Sequence, residues 1–364
     1  MIQDNPQDSP AYQQQLDSKV EQYKALMADT GIELPELEIY ESAPYGFRMR
    51  AEFRVWHEHG QAHYAMNKPG EKRPYIIKDF PIGSALINQL MPKIMAAVNA
   101  SDTLSYKLFS MEYLTTTTDE ALVTLIYHKP LDEEWQQAAK QLQLEFDIKI
   151  IGRSRKQKVV LSDEFVTEKL TVNNQQYSYQ QVEASFTQPN AEVNQKMLSW
   201  ASDCLSKSTD DLVELYCGNG NFTAVLAQHF DKVLATEISK VSVNSATTNF
   251  AANKIDNVTI ARLSSEEFTQ ALNRERAFRR LADVDLDSFK FSTIFVDPPR
   301  AGLDAGTEKL VTKMDNILYI SCNPNTLAEN LMQITKTHRV VKAALFDQFP
   351  WTQHIESGVY LERI

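Results

Sequence analysis

The 364-residue sequence predicts an α/β protein with two domains. Its length suits about two domains, at roughly 150 residues each. Between about residues 45 and 183 the pattern is mainly that of strands, which indicates an α+β domain with an antiparallel sheet. Beyond residue 190, short apolar runs alternate with helical segments, which indicates a parallel sheet covered by helices on both faces. We place the boundary near residue 186, giving domains at 1–185 and 186–364.

The N-terminal domain begins with a predicted helix. Ser9 suits its N-cap and Pro10 its first helical position. Apolar residues then recur at helical spacing to about Asp29, at Leu16, Val20, Tyr23 and Met27. From Phe47 to Val55, apolar residues at odd positions alternate strictly with charged ones, as in a half-buried strand. Further strands are predicted at 121–127, 149–152 and 177–182, with helices near 84–98 and 132–144.

The C-terminal domain contains five apolar runs that predict parallel strands, at 212–215, 233–236, 258–260, 293–296 and 317–320. The segments between them have the length and composition of helices. The carboxyl ends of such strands form the edge at which open α/β sheets bind their ligands. Residues that directly follow these strands are therefore the first candidates for a functional site.

The net charge of −11 argues at first against a nucleic-acid partner. However, residues 1–44 carry nine acids against two bases, whereas residues 45–80 carry seven bases, including Lys72, against four acids. Because salt screens charges over about 10 Å, the local balance matters more than the total. The strand-rich half is therefore the candidate platform for an anionic partner.

Location and cysteine chemistry follow from the composition. No apolar run approaches the ~18 residues needed to span a bilayer. The polar, acidic segment Met1–Ala11 is unlike a signal or transit peptide, so a cytoplasmic location without membrane association is expected. The three cysteines, Cys204, Cys217 and Cys322, form no Cys-x-x-Cys pair, so neither a metal site nor a disulfide framework is indicated.

A cofactor motif follows the first strand of the C-terminal domain. Residues 212–222 predict a strand, a turn containing Gly218 and Gly220, and a helix, which suits a nucleotide-like ligand. Thr223 stands where a dinucleotide fingerprint has its third glycine, so NAD is disfavoured. Glu237 ends the next strand, where it can accept hydrogen bonds from a ribose diol. The motif Glu-Leu-Tyr-Cys-Gly-x-Gly-x-Phe resembles that of class I (Rossmann-like) methyltransferases, whose turn holds the methionine part of S-adenosylmethionine.

Two motifs at strand ends carry the candidate chemistry. Asp297-Pro298-Pro299-Arg300 predicts a rigid loop, because two prolines exclude both helix and sheet. Amino-methyltransferases typically have an aromatic residue where Arg300 stands, which argues against N-methylation. Cys322 lies at the end of a strand and before a helix with Asn323 as its predicted N-cap. The helix N-terminus and Arg300 predict a lowered thiol pKa, whereas Cys204, expected in mid-helix, and Cys217 are predicted to be packing residues.

A candidate base lies near the C-terminus. His354 and Glu356 are two residues apart, so on an extended segment they would share a face. Either could remove a proton. On chemistry alone His354 is preferred, because its reference pKa lies nearer to neutral pH.

The motifs Gln-Pro-Asn, Gly-Asn-Gly-Asn-Phe, Asp-Pro-Pro-Arg-x-Gly, Ser-Cys-Asn-Pro and Phe-Pro-x-Thr-x-His-x-Glu occur in one order. This set resembles the RNA uracil-5 methyltransferase family. Arg-Met-Arg-Ala-Glu-Phe-Arg and Leu-Phe-x-x-x-Tyr-Leu-Thr-Thr extend the resemblance, to its tRNA-specific branch, over the N-terminal half. The chain lacks the extra barrel and the iron–sulfur cysteines of many rRNA-modifying relatives.

The resemblance implies methylation of carbon 5 of the T-loop uridine in tRNA, giving 5-methyluridine through a covalent adduct of Cys322 with carbon 6. Glu356, and not His354, is then the base. The residues implied to contact S-adenosylmethionine are Gln188, Tyr216, Gly218, Asn221, Glu237 and Asp297. Gln188 is also placed to bond the uracil. Other RNAs with a T-loop-like hairpin are possible partners.

RNA contacts are expected mainly in the strand-rich half. Arg48, Arg50 and Arg54 are predicted to share one face of a strand, and a second basic stretch spans residues 149–158. With the resemblance, the specific candidates are Arg54, Phe109, His128 and Arg300. Two alternatives stay open: methylation of cytosine carbon 5, which would favour a Pro-Cys dipeptide or a second loop cysteine, and an RNA-folding role separate from methylation.

Overall fold

The computed structural model describes residues 9–68, 70–71 and 73–364. Lys72 and the predicted polar segment before Ser9 lie outside the described residues. The chain divides into two compact units. The large unit contains the chain up to Pro44, Leu170–Gln180 and Glu192–Ile364. The small unit contains Tyr45–Lys169 and Gln181–Ala191.

The described residues form ten α-helices and seventeen strands. The helices are α1 (Pro10–Asp29), α2 (Ala85–Asn99), α3 (Asp102–Ser105), α4 (Glu133–Phe146), α5 (Ala191–Asp203), α6 (Asn221–Leu226), α7 (Lys240–Ala252), α8 (Ser265–Leu272), α9 (Ala305–Val311) and α10 (Pro324–Ile334). The first ten strands are β1 (Leu37–Tyr40), β2 (Arg50–Glu58), β3 (Gln61–Met66), β4 (Tyr75–Ile76), β5 (Leu108–Thr115), β6 (Ala121–Tyr127), β7 (Lys149–Ser154), β8 (Gln157–Val160), β9 (Phe165–Val172) and β10 (Gln175–Val182). The others are β11 (Asp211–Leu215), β12 (Val233–Thr236), β13 (Val258–Ala261), β14 (Phe291–Val296), β15 (Asn316–Ser321), β16 (His338–Phe346) and β17 (Glu356–Arg363). No helix among the described residues has both the length and the apolar character needed to cross a membrane.

The large unit is built on an eight-stranded sheet in the order β1-β16-β17-β15-β14-β11-β12-β13. The five predicted strands, β11 to β15, pair in parallel, as expected. The sheet as a whole is mixed, because β17 runs antiparallel to both β15 and β16. Residues 347–355, which join β16 to β17, are too few for the crossover that a parallel pair requires.

Helix α1 belongs to the large unit, contrary to the predicted assignment with the α+β domain. Its bounds and cap are confirmed: Ser9 accepts a hydrogen bond from the backbone N–H of Tyr12, and Pro10 is the first helical residue. Its buried face differs from the prediction, since it includes Tyr12 and Lys19, while Val20 is only partly buried. A lysine on an otherwise apolar face needs a buried partner.

The small unit contains a seven-stranded sheet in the order β4-β3-β2-β5-β6-β7-β8. The sheet is antiparallel, as expected, except that β6 and β7 are parallel because α4 connects them as a crossover. Strand β2 begins at Arg50 and not at Phe47. Within it the predicted alternation holds, since Ala51, Phe53 and Val55 are buried.

The predicted boundary near residue 186 falls inside a segment that belongs to the small unit. Arg50 donates hydrogen bonds to the carbonyls of Glu183 and Ser185, both at 2.7 Å. Arg153 binds the Glu183 carboxylate with two bonds of 2.6 Å. These long-range bonds hold residues 181–191 to the small unit, and a change in sequence pattern cannot reveal them.

Candidate active site

The glycine-rich turn between β11 and α6 forms one side of a cavity in the large unit. Gly218 and Gly220 have φ angles of 56° and 78°, which favour glycine. A Cβ on Gly220 would also lie 2.6 Å from the Phe250 ring, so only glycine fits this position. The cavity has a volume of about 300 Å³. Its lining consists of Tyr216, Thr236, Glu237, Ile238, Leu263, Ser264, Ser265, Glu266, Pro299, Ala301, Gly302, Leu303 and Asp304.

The Glu237 carboxylate is held in place by two backbone donors. One oxygen accepts from the N–H of Gly218 at 3.0 Å, and the other accepts from the N–H of Ser239 at 2.7 Å. A carboxylate has about four lone-pair sites, so two are left for other donors. The prediction that Glu237 faces a ligand pocket at the end of the second strand agrees with its position in this cavity.

Several cavity residues were not predicted from the sequence. Ile238 is 64% exposed and contributes an apolar wall. Ser265 accepts a 2.7 Å hydrogen bond from the Tyr216 hydroxyl, which ties the turn to the start of α8. Ile238 lies two residues after β12 and Ser265 four residues after β13, so their place near the carboxyl edge of the sheet was the available signal. A cavity lined by both an apolar side chain and a carboxylate suits an adenine ring and a ribose, so it fits an adenosyl group.

Two other predicted cofactor contacts have different surroundings. The Asn221 side chain exchanges two hydrogen bonds with Asn194, at 2.8 and 3.1 Å, which fixes its orientation at the start of α6. Gln188 is half-buried in the part of the chain that belongs to the small unit. The contact of each with a cofactor stays a prediction.

Three reactive side chains lie at the carboxyl edge of the large sheet. Asp297 follows β14, Cys322 follows β15, and Glu356 begins β17. Ser321 pairs with Ser357 in the antiparallel register, so Cys322 and Glu356 are the next residues on facing strand ends. Because β17 starts beside the end of β15, two residues that are 34 positions apart in the sequence lie together.

The loops that carry these residues are joined to each other. The Arg300 carbonyl accepts from the Asn323 side chain at 2.9 Å and from the Thr326 hydroxyl at 3.3 Å. Asn323 is also the N-cap of α10, as predicted. The Asn330 side-chain oxygen accepts from the Leu303 N–H at 3.0 Å and from the Tyr319 hydroxyl at 2.9 Å. The Asp-Pro-Pro-Arg and Ser-Cys-Asn-Pro segments therefore form one hydrogen-bonded unit.

The predicted lowering of the Cys322 pKa is wrong for the ligand-free protein. Burial, together with the negative charges of Glu356 and Asp297, raises the pKa of this thiol to about 11. The Arg300 guanidinium acts in the opposite direction but is outweighed. Two nearby carboxylates in a partly desolvated site disfavour a third negative charge.

Burial also raises the pKa values of the two carboxyl groups, Glu356 and Asp297. Burial, with a smaller contribution from Asp297, raises the pKa of Glu356 to about 8. Burial raises the pKa of Asp297 to about 7. Perturbed acids of this kind in a cleft are common in active sites, because general acids and bases work best near the operating pH.

His354 and Glu356 differ in exposure and in partners. Glu356 is buried at the start of β17, whereas His354 is exposed in the preceding loop, so the expected common face is not formed. The Arg300 guanidinium lies 3.1 Å from Nδ1 of His354. Because a guanidinium can only donate, Nδ1 accepts this bond. His354 therefore serves as a partner of Arg300.

Three of the four predicted RNA contacts lie together in the small unit. The Phe109 and His128 rings stack at 4.3 Å, and the Arg54 guanidinium lies 5.6 Å from the centre of the Phe109 ring. All three line one surface groove, with Lys107 beside them. Arg300, the fourth, is exposed in the large unit.

The other predicted basic residues are mostly engaged elsewhere. Arg48 donates to the Arg50 carbonyl, and Arg50 itself binds the 183–185 segment, so only Arg54 of the three is available on the surface. The 149–158 stretch contains no acids, but acids from other segments approach it. Three of its bases form ion pairs: Lys149 with Glu120, Arg153 with Glu183, and Lys158 with Glu164.

The remaining cysteines are buried, as expected for packing residues. Cys204 directly follows the end of α5 and is not within a helix. Burial raises the pKa of Cys217 well above its usual value. Within the described ranges, no three His, Cys, Asp or Glu side chains are grouped as metal ligands.

The fold and the site define an α/β methyltransferase with a thiol at the carboxyl edge of its large sheet. Residues 11–364 match the family described as tRNA (Uracil-5-)-methyltransferase. A Cellvibrio japonicus protein named tRNA/tmRNA (uracil-C(5))-methyltransferase is 55% identical over 355 residues, covering 98% of this chain and 96% of that protein. A Pseudomonas fluorescens protein of the same name is 54% identical over 357 residues, covering 98% and 99%. The chain belongs to the tRNA (uracil-5-)-methyltransferase family and is an enzyme.

A solved structure supports the fold. The Pyrococcus abyssi tRNA (uracil-54, C5)-methyltransferase, crystallised in complex with S-adenosyl-L-homocysteine, superposes with a TM-score of 0.72 at 20% identity. The match covers 96% of this chain and 83% of that one. As a member of this methyltransferase family, the chain uses S-adenosylmethionine as its cofactor.

We expect Glu237→Gln to weaken binding of both S-adenosylmethionine and S-adenosylhomocysteine by about tenfold, because an amide has only one acceptor atom for two backbone donors and the ribose. Isothermal titration calorimetry measures both affinities. Glu329→Gln, on the exposed side of α10, is the matched control. Equal affinities of the wild-type protein and Glu237→Gln would contradict this role of Glu237.

Proposed function

We propose that this enzyme methylates carbon 5 of the T-loop uridine in tRNA through a covalent Cys322–carbon 6 adduct. The observation that carries the proposal is the position of Cys322, between Asp297 and Glu356 at the sheet edge where the cofactor cavity opens. Carbon 5 of uracil is too weak a nucleophile to be methylated directly, so a nucleophilic group must first add to the ring. Cys322 is a half-buried thiol at this edge, whereas Cys204 and Cys217 are buried.

The proposed reaction has three steps, which are addition, methyl transfer and elimination. The Cys322 thiolate bonds to carbon 6, and the electrons of the carbon 5–carbon 6 double bond shift to form an enolate. S-adenosylmethionine supplies the methyl group that the enolate carbon 5 takes up. A base removes the carbon 5 proton, the double bond re-forms, and the carbon 6–sulfur bond breaks to release the thiolate. The protein contributes mainly by holding these groups in line.

Glu356 is the better candidate for the base. It is buried next to Cys322, and a raised pKa of about 8 makes its carboxylate a stronger base than an exposed glutamate. His354 is exposed, and its Nδ1 accepts from Arg300. This assignment also agrees with the resemblance.

A nearby cation would favour the Cys322 thiolate, because burial and two carboxyl groups hold the pKa of this thiol above its usual value. The pKa of Cys322, about 11, lies above that of Glu356, about 8, so transfer of the thiol proton to this carboxylate is unfavourable. An opposite charge within ~4–6 Å favours the thiolate. The sulfonium of S-adenosylmethionine would supply such a charge if Asp297 and Glu356 hold it beside Cys322. We therefore propose that cofactor binding activates Cys322.

This activation has a direct readout in alkylation rate. At pH 8, S-adenosylmethionine should raise the rate at which iodoacetamide alkylates Cys322 about tenfold over S-adenosylhomocysteine, since one pKa unit changes the thiolate fraction tenfold. The homocysteine compound lacks the sulfonium charge but has nearly the same shape. Peptide mass spectrometry measures each cysteine, with buried Cys204 and Cys217 as internal controls. Equal rates with the two ligands would rule out this form of activation.

The small unit supplies the proposed RNA platform. A uridine in a folded loop must be flipped out to reach a cysteine at the sheet edge. Unpaired loop bases stack on aromatic rings, and phosphates bind arginine. Arg54, Phe109 and His128 offer both, and Arg300 stands beside the reactive groups. Specificity for the T-loop, Gln188 as a uracil contact and the cytoplasmic location are proposals supported by the resemblance. The names of the relatives include tmRNA, which supports the proposal that other RNAs with such a loop bind too.

Two variants separate charge from stacking. Arg54→Gln should raise the KM for tRNA about fivefold and reduce the salt slope of binding by nearly 1, because one phosphate contact is lost. Phe109→Ala should raise KM by tenfold or more without changing the salt slope, since stacking carries no charge. Arg73→Gln, at an exposed arginine of the same unit, is the control. Wild-type KM values for both test variants would place the RNA elsewhere.

The covalent step is tested with tRNA that contains 5-fluorouridine, since fluorine at carbon 5 cannot leave as a proton. The wild-type protein with S-adenosylmethionine should form a denaturation-stable adduct, and Cys322→Ala should form none. Mass spectrometry of unmodified tRNA after reaction locates the added methyl group. An adduct that survives Cys322→Ala, or a methyl group outside uracil carbon 5, would overturn the proposal.

A further inference from the structure

Helix α1 places a lysine on its buried face. The buried residues of this helix are Tyr12, Leu16, Lys19, Tyr23 and Met27. The Lys19 side chain is 1% exposed, and its ammonium lies 2.7 Å from Oδ1 of Asp347, which is 0% exposed. It also donates a 3.0 Å hydrogen bond to the Phe349 carbonyl. Both partners lie in residues 347–355, the loop that leads into β17.

The same helix holds this loop at further points. The Trp351 N–H donates to the Gln15 side-chain oxygen at 2.7 Å, and the Tyr12 ring lies edge-on to the Trp351 ring at 6.1 Å. Successive turns of α1 therefore fix residues 347–351. The second half of the loop contains His354, which accepts a hydrogen bond from Arg300, and leads to Glu356 at the start of β17.

Stability alone does not account for a buried ion pair. Apolar residues of similar volume often stabilise a protein as well as such a pair, because both charges must lose their water. Apolar residues cannot, however, bond the Phe349 carbonyl or fix the direction of the Asp347 side chain. A shift of about 1 Å in a reacting group can lower a rate about a hundredfold, so the direction of this loop matters for catalysis.

We propose that Lys19 is a positioning residue for proton abstraction, because it fixes the 347–355 loop and thereby the Glu356 carboxylate beside Cys322. The inference rests on the proposed function of Glu356. Lys19 does not touch the reacting atoms. It acts after the methyl group has been transferred, when the carbon 5 proton passes to Glu356, the carbon 5–carbon 6 double bond re-forms and the Cys322 thiolate leaves carbon 6.

A misplaced Glu356 therefore has a specific consequence. The thiolate adds to carbon 6 and carbon 5 is methylated, but elimination is slow, so the methylated covalent complex accumulates. A general loss of stability lowers the amount of active protein and does not cause accumulation. The fraction of RNA in the adduct at steady state thus separates positioning from folding.

The test variant is Lys19→Met/Asp347→Asn, since Lys19→Met alone would leave a buried, unpaired carboxylate. With unmodified tRNA and S-adenosylmethionine, we expect turnover to fall at least tenfold, KM values to stay within twofold, and a denaturation-stable RNA–protein complex to accumulate as in Glu356→Gln. The matched control is Lys24→Met/Glu21→Gln, which removes an exposed ion pair from the same helix. Lys19→Arg, which keeps the charge but moves its donors, is measured in the same way if the double variant does not fold.

Two results would overturn the inference: wild-type turnover in the folded variant, or slow turnover without accumulation of the complex. If the proposed function itself is wrong, the experiment gives a different result. In that case the wild-type protein itself forms no adduct with 5-fluorouridine tRNA. The two failures are therefore distinguishable in one set of experiments.

Discussion

The direction of β17 determines which side chains meet at the ligand edge of the large sheet. Parallel strands deliver only their carboxyl ends to the ligand edge of the sheet, and Asp297 and Cys322 reach it in this way. An antiparallel strand delivers its first residue to the same edge. Because β17 runs against β15 and β16, Glu356 lies opposite the end of the strand that carries Cys322. A parallel β17 would place Glu356 at the opposite end of the sheet.

This convergence brings three groups that can become anionic close together. Three groups that can become anionic share a partly desolvated space, and the pKa of each is raised. Such a site disfavours a free thiolate. It also favours a positively charged ligand. Thus the same charges that hold the ligand-free thiol protonated suit the site to a sulfonium cofactor.

The N-terminal segment belongs to the same large unit as Asp297, Cys322 and Glu356. Helix α1 and strand β1 pack with the C-terminal residues, and β1 extends the sheet beside β16. The sheet edge and the 347–355 loop thus depend on residues from both ends of the chain. The small unit has a sheet of its own. Its surface groove combines two stacked rings with an arginine.

Local pattern was enough to predict much of the fold and part of the site. Many of the strands and helices of both halves, the glycine-rich turn and the place of Cys322 between a strand and a helix were predicted, because hydrophobic spacing, glycine and proline act over a few residues. Glu356 itself was preferred to His354 only through the resemblance. Chemistry from the sequence favoured the histidine, since reference pKa values take no account of burial.

The tertiary structure decided which distant residues meet. Lys19, on the apolar face of α1, is paired with a residue 328 positions away. Arg50, which was predicted to contact RNA, instead bonds to backbone carbonyls 133 and 135 positions away. The sign of the Cys322 pKa shift changed for the same reason. The sequence by itself determined which side chains stand at strand ends. Burial and strand direction, which depend on long-range packing, determined their neighbours and their charge.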